Sequence, residues 1–377
     1  MKPLEDYLIV DFSQFLSGPS ASLRLADLGA RVIKIEKPGT GDICRTLYTS
    51  DLIMNGESSV FHTINRNKES FAIDFKEPAA LEQLKKLLAK ADVIMHNFRP
   101  GVMERVGLSY EDVKAINPTV IYASISGYGN HPDLKDLPGQ DLLLQSLTGL
   151  TWLSGNQENG PVPMGLSIVD MLAGAHLAQG ILAALYRKTT QNCGGTVEVS
   201  MLESAFDFQF ETLTTFFNDG GELPVRTQSN NAHAYLGAPY GIYQTKNGYL
   251  ALAMGSIPVL ASLLQCDELL QFPENKFELR DTIKNILANH LQTQNTEFWL
   301  NILEPADIWC AKVLNYKELF AEEAFNILEF TQKVNMLDGY SYETTRCPIR
   351  IDGEYFTSTK GSPKLGQDNE RIIKKLD

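Results

Sequence analysis

Over about the first 130 residues, short apolar runs alternate with segments whose apolar positions recur every three or four places. YLIVDF (Tyr7 to Phe12) is compact and rich in β-formers, ASLRLADLGA carries helical spacing up to Gly29, and RVIKIE reads as a second strand. Strand, helix, strand is the βαβ unit, which builds a parallel sheet with helices on its faces. The pattern returns as SFAIDF, PAALEQLKKLLAKA, DVIMHNF, SYEDVKAIN and VIYASISGYG, so the spacing predicts a doubly wound α/β domain. Beyond it, GQDLLLQSLTGLTWL (Gly139 to Leu153) reads as one further helix, and GGTVEVSMLESAFDF as strand into helix. VDMLAGAHLAQGILAALYRK (Val169 to Lys188) reads as a long helix whose Gly and Ala positions suit tight packing against a neighbour.

From about Pro224 the texture changes. SNNAHAYLGAPYGIYQTKNGYLALAMG reads as two strands joined at TKNG, a hairpin signal, and a smaller domain begins there. Helical segments are expected from about Ile257 to Phe330, and the tail ends in a short helix. No repeat, heptad run, low-complexity tract or flexible linker stands out.

Composition narrows the class. A chain of 377 residues with 44% hydrophobic and 21% charged positions has enough apolar surface for a large core and two domains. Apolar runs are interrupted before the roughly 18 to 20 residues of a membrane span, and MKPLEDYLIVD lacks a signal-peptide layout, so a cytoplasmic protein without a membrane partner is expected. The net charge of 33 − 46 = −13 argues against a nucleic-acid or anionic-lipid surface, so an anionic ligand must be held by local basic groups. The five cysteines have no CxxC or Cys/His ligand spacing, and no two histidines lie at helical i, i+4 spacing, so no metal is expected.

Several chemistries lack their motifs. The first strand-to-helix turn, FSQFLSGP, has no GxGxxG, and nothing matches GxxxxGK[ST], which disfavours a nicotinamide-dependent dehydrogenase and a nucleotide triphosphatase. No GxSxG elbow accompanies the six histidines, which disfavours a Ser/His/Asp hydrolase. One carboxylate stands out by position: Asp170 in MGLSIVDMLAG opens the long helix among apolar neighbours. An acid there is commonly a first-turn group favoured by the helix dipole, and an ionised, dehydrated carboxylate is equally a nucleophile.

Ordered motifs decide between these readings. LIVDFSQFLSGPSASLRLADLGARVIKIEKPGTGD (Leu8 to Asp42), NRNKES, ADVIMHNFRPGVMERVGL (Ala91 to Leu108), NPTVIYASISGYG and VEVSMLESA together resemble the family III CoA-transferases, the CaiB/BaiF family. APYGIYQTKNGYLALA and SPKLGQDN carry the resemblance almost to the C-terminus. It implies a Rossmann-like doubly wound large domain over 1–215 completed by 330–377, a smaller α+β domain over 220–325, and a homodimer of two interlocked rings.

The resemblance also implies a mechanism. Asp170 matches the family's nucleophile, which attacks the thioester of an acyl-CoA to give an acyl-aspartyl anhydride and CoA thiolate. The thiolate then forms an aspartyl-CoA thioester, and a small or medium carboxylic acid reverses the sequence. CoA or acyl-CoA is substrate here, with no metal and no redox cofactor. Leu16, Lys37, Lys68, Asn97, Phe98 and Arg99 fall at positions of the family's CoA site, and Arg105 is an expected phosphate contact. The N–H groups around Met171 and Leu172 are expected to stabilise an oxyanion.

Some positions depart from the pattern. Leu16 stands where formyl-CoA:oxalate transferases carry glutamine, which disfavours formate and oxalate. In GQD, Gln140 stands where α-methylacyl-CoA racemases have their histidine, so the racemase is an alternative lacking one base, and a non-catalytic CoA-binding protein is another. Asp141 is either a group that orients the site or a cap on its own helix. Residues 151–165 are expected to line the acid pocket, with Trp152 as an apolar wall or a core aromatic. Succinyl-CoA is the expected donor, on the ground of its abundance.

Overall fold

The structure, a computed structural model, describes residues 2–272 and 277–376. Two compact units divide the chain, the first formed by Met1–Leu144, Ser167–Phe208 and Leu328–Asp377, the second by Gln145–Leu166 and Gln209–Ile327.

The first unit is built on a six-stranded sheet: β1 (Leu8–Asp11), β2 (Arg31–Glu36), β3 (Glu69–Ala72), β4 (Val93–His96), β5 (Ile121–Ser126) and β6 (Gly195–Ser200). Its order is β3-β2-β1-β4-β5-β6 and every neighbouring pair is parallel. Burial on both faces explains why YLIVDF and RVIKIE read as continuous apolar runs and not as alternation. Residues of one parity (Ile9, Val32, Val93, Met95, Ile121, Ala123) join one core, and their neighbours (Val10, Ile33, Ile94, Tyr122) join the other.

Helices α1 (Ser17–Asp27), α2 (Pro78–Leu88), α3 (Tyr110–Ile116), α4 (Asp141–Leu147) and α5 (Ile168–Gln191) follow in chain order. α1 and α5 cover the first core, while α2, α3 and the C-terminal helix Asn369–Lys374 cover the second. α5, at 24 residues, is long and apolar enough to cross a membrane by length and composition. Its Val169, Ala173, Leu177, Ile181 and Leu185 nevertheless form a stripe at four-residue spacing buried against the sheet. The apolar character of this helix thus belongs to a core.

The helix expected over Gly139 to Leu153 stops at Leu147, because Gly149 adopts a left-handed φ of 79° and the chain re-enters as a single tight turn at Leu150–Trp152. Residues 145–166, expected in the large domain, group with the second unit. Arg226 explains this: its guanidinium donates to the carbonyls of Ser154, Asn159 and Gly160 and lies 5.7 Å from the Trp152 ring centre.

In the second unit, β7 (Gly241–Gln244) and β8 (Tyr249–Leu252) form the hairpin expected at TKNG. A third strand, β9 (Cys310–Lys312), pairs antiparallel with β8 inside the stretch expected to be helical, since three residues are too few to show a period. Helices Ile257–Leu264, Arg280–Leu291 and Thr296–Leu303 pack on this sheet through Leu260, Ile283, Leu287 and Trp299. Residues 273–276, within that same stretch, lie outside the described residues.

Candidate active site

The strand order reverses at β1, because the chain runs outward to β3 and returns on the other side as β4. Loops leaving β1 and β4 at their C-terminal ends therefore diverge, and doubly wound sheets bind ligands in that crevice. Residues 12–16, which link β1 to α1, are held there from three sides. Lys34 donates to the Ser13 carbonyl (2.7 Å), Asn97 exchanges two hydrogen bonds with the backbone of Gln14 (2.8 and 2.6 Å), and Asp42 accepts from the Phe15 N–H (3.3 Å). Phe15 sits at φ 60°, a left-handed conformation that an L-residue adopts only when its surroundings impose it. The loop thus delivers Ser17, the first residue of α1, into the interior.

Gly174 lets α1 and α5 meet. A Cβ on Gly174 would lie 2.2 Å from Ser20 Oγ and 2.6 Å from the Ser17 carbonyl oxygen. One turn before Gly174, Asp170 is brought near Ser17, whose hydroxyl and backbone N–H favour its ionised form. On its other side stands Asp141. Gly127 and Gly139 cross so closely that either Cβ would fall under 3 Å from the other's Cα, which fixes where α4 begins. From there Asp141 Oδ1 accepts the N–H groups of Val169 (2.7 Å) and Asp170 (3.2 Å). Asp141 therefore caps α5 from a different helix, while the adjacent Ser167 makes no side-chain cap.

Burial pushes the Asp170 carboxyl up to about 6, the Asp141 charge pushes in the same direction, and the Ser17 hydrogen bonds oppose both. Cys44 is close enough to sense Asp170, but burial and Asp42 push its thiol up to about 12, so it stays protonated. The oxyanion role expected of the α5 start is not available as the sequence placed it, since the Met171 N–H donates to the Ser167 carbonyl (3.2 Å).

Of the residues expected at a CoA site, Asn97 is drawn into the β1–α1 loop as described, its Nδ2 also reaching Ser17 Oγ at 3.4 Å. Leu16 is half-buried against Cys44, Phe61 and Ile64. Phe98 is half-buried and stacks on His96 with ring centres 6.0 Å apart. Lys37, Arg99 and Arg105 are exposed beyond the C-terminal ends of β2 and β4, Arg99 donating to the Asp136 carbonyl.

Lys68 requires a correction. It is fully buried, and its ammonium is surrounded by the Pro19 carbonyl (2.9 Å), Asn65 Oδ1 (2.9 Å) and Asp11 (3.5 Å), which leaves no donor facing outward. Desolvation lowers it to about 7 despite Asp11. Its place is beneath the β1–α1 loop, where Lys34–Asp42 (2.7 Å) forms a second buried pair. Sequence reasoning missed Ser17, Asp11, Lys34 and Asp42. Asp11 and Lys34 did carry a signal, because a charge within a buried strand needs a partner.

Among the described residues no cluster of three His, Cys, Asp or Glu side chains offers a metal site. Within the second unit, Trp152, Leu213, Phe216, Leu223 and Tyr235 line a cavity of about 340 Å³. Trp152, 54% exposed, is a wall of this cavity and not a core aromatic.

The family model described as CoA-transferase family III matches residues 4–369. The chain is 30% identical to succinyl-CoA:glutarate CoA-transferase of Homo sapiens, across 100% of this chain and 86% of that enzyme. It is also 30% identical to acetyl-CoA:oxalate CoA-transferase of Acetobacter aceti, across 99% and 96%. Among solved structures, a CAIB/BAIF family protein from Brucella suis matches with a TM-score of 0.83 at 26% identity, covering 100% of both chains. Rv3272 from M. tuberculosis matches with a TM-score of 0.83 at 26% identity, covering 99% of both.

Proposed function

The chain belongs to CoA-transferase family III, enzymes that move CoA between an acyl-CoA and a carboxylate, and from that premise we propose that Asp170 is its covalent nucleophile. The observation that carries this reading is the setting of Asp170: a carboxylate at the crevice beside β1, drawn away from water yet kept usable by Ser17. Its Oδ attacks the thioester carbonyl of the donor, the C–S bond breaks, and CoA leaves as thiolate. The mixed anhydride keeps the acyl group activated, so the thiolate can attack the Asp170 carbonyl and expel the donor acid as carboxylate. An acceptor carboxylate then attacks the aspartyl-CoA thioester, and CoA thiolate returns to the acceptor's acyl carbon. No ATP is needed, because an activated acyl group exists at every stage. Burial serves the chemistry by keeping water from the anhydride and thioester.

Lys37, Arg99 and Arg105 are the exposed cations at that edge of the sheet, and we assign the CoA phosphates to them. Short dicarboxylates are the proposed acids, supported by the named activities of the human and Acetobacter relatives. Leu16 had set oxalate aside, but an oxalate enzyme matches at the same identity as a glutarate enzyme, so oxalate belongs in the test panel. Interlocking of two chains is proposed from family membership; light scattering is expected to give twice the 41.9 kDa chain mass, and a monomer mass refutes it.

The test is intact-mass spectrometry with succinyl-, acetyl- and formyl-CoA, followed by borohydride or hydroxylamine trapping, on wild type and Asp170→Ala. A CoA or trapped adduct on wild type that is lost in Asp170→Ala is expected. An adduct that survives the substitution removes Asp170 from the nucleophile's role.

A further inference from the structure

We propose that the buried Lys34–Asp42 ion pair is a positioning device for the transfer reaction: it fixes the β1–α1 loop and, through it, the first turn of α1 against the helix that carries Asp170. This rests on Asp170 being the nucleophile. Both side chains are fully buried, and their charged atoms lie 2.7 Å apart. Neither meets solvent, so any part they take in the reaction passes through the residues they hold.

Stability alone does not account for this pair. Two charges taken out of water lose hydration that their attraction repays only in part, and apolar side chains of similar volume often serve a core as well or better. What charged hydrogen-bonding groups supply and an apolar contact does not is direction. Lys34 directs its ammonium to the Ser13 carbonyl (2.7 Å), and Asp42 Oδ1 accepts the N–H groups of Phe15 (3.3 Å) and Cys44 (2.9 Å). Gln14, between those two anchor points, has both of its backbone groups taken by Asn97. The pair is itself fixed: the Asp42 N–H donates to Glu36 Oε1 at 3.0 Å, and Lys34 stands beside Asp11 in the sheet register. Phe15 is thereby kept at φ 60°, which an unrestrained L-residue leaves for the right-handed or extended regions.

The loop passes this constraint on through contacts without slack. Ser13 lies against the first turn of α1, where a Cβ on Gly18 would collide with the Ser13 side chain. That same turn presents the Ser17 carbonyl to α5, with its oxygen 2.6 Å from where a Cβ on Gly174 would stand. Gly174 lies one turn after Asp170 on α5. From the ion pair to the helix of the nucleophile there is thus one line of close contacts, through Ser13, the first turn of α1 and Gly174. A shift of the loop moves α1 relative to Asp170, and a misplacement of about 1 Å at a reacting centre costs about 10²-fold in rate.

The experiment compares wild type with Lys34→Met/Asp42→Asn, Asp42→Asn and Asp170→Ala. The double variant removes both charges together, so no unpaired ion is left in the core, and its amide oxygen still serves the Phe15 and Cys44 N–H groups. Steady-state turnover and rapid-quench intact mass of the enzyme–CoA thioester are read with succinyl-CoA and acetyl-CoA, at a temperature where thermal unfolding shows each variant folded. We expect kcat and thioester formation in the double variant to fall by about tenfold or more, with KM for the acyl-CoA little changed. A purely structural pair would lower the folded fraction and leave turnover per folded molecule as it was. Asp42→Asn alone is expected to fall between, and it reads the effect if the double variant does not fold. A kcat within threefold of wild type in the double variant, or in Asp42→Asn where only that variant folds, overturns the assignment, as does a change confined to KM. Asp170→Ala separates the two failures: if it still turns over, the nucleophile reading falls and this inference with it, whereas an inactive Asp170→Ala beside a fully active double variant removes the ion pair alone.

Discussion

On the proposed mechanism Asp170 must be ionised to attack, and its carboxyl is raised to about 6, first by burial and then by the Asp141 charge. The acid form predominates below that value. We therefore expect kcat/KM to rise about tenfold per pH unit up to pH 6 and to level above it. Asp141→Asn keeps an oxygen for the Val169 and Asp170 N–H groups but deletes the charge, so the midpoint moves down toward the ordinary carboxylate range. Asp141→Ala loses the cap as well, with a stability loss of about 1 kcal/mol. pH–rate profiles and urea unfolding of both variants check this, and an Asn variant with an unmoved midpoint would show that Asp141 acts through geometry alone.

At the scale of elements, the site depends on how near α1 lies to α5. Gly174 is the reason it can, since the atoms its missing Cβ would strike include the Ser17 backbone carbonyl, which cannot rotate aside. Gly174→Ala is expected to push the helices apart, costing about 1–3 kcal/mol from overpacking. The same shift carries Ser17 away from Asp170, so kcat should fall by more than the thermal stability suggests. Thermal unfolding together with turnover at a temperature where the variant is fully folded tests this; a variant of wild-type kcat would mean that the contact tolerates the displacement. The lysines divide by the same logic. Lys34 and Lys68 lie within or near strands of the buried sheet and are consumed by Asp42 and Asp11, whereas Lys37 lies just past a strand end and stays exposed.

At the scale of the molecule, the first unit is closed by the far end of the chain. Asn369 pairs with Ala72 in both directions at 2.9 Å, as one more strand residue would, and Asp368 takes the Ser70 N–H at 2.9 Å, covering the edge of β3. Asn369→Ala leaves two backbone groups of a half-buried strand end without that partner, so a loss of about 2 kcal/mol is expected by chemical denaturation, with kcat unchanged in the folded fraction. A loss under about 0.5 kcal/mol would mean that water replaces the amide readily. Such contacts, nearly 300 positions apart in the chain, leave no periodic trace. What the sequence determined by itself was local or repetitive: the βαβ alternation, the hairpin at TKNG, the long helix that begins near Asp170, and the ordered motifs that mark the family. Burial of whole strands and one-sided helices writes itself into residue spacing, which is why these were legible. Only the tertiary structure decided that Asp141 caps a helix other than its own, that Ser17 faces Asp170, that Lys68 points inward, and that residues 145–166 join the second unit. Each of these depends on where two distant backbones approach, and a side chain's partner across that gap is set by distance in space, which spacing along the chain does not encode.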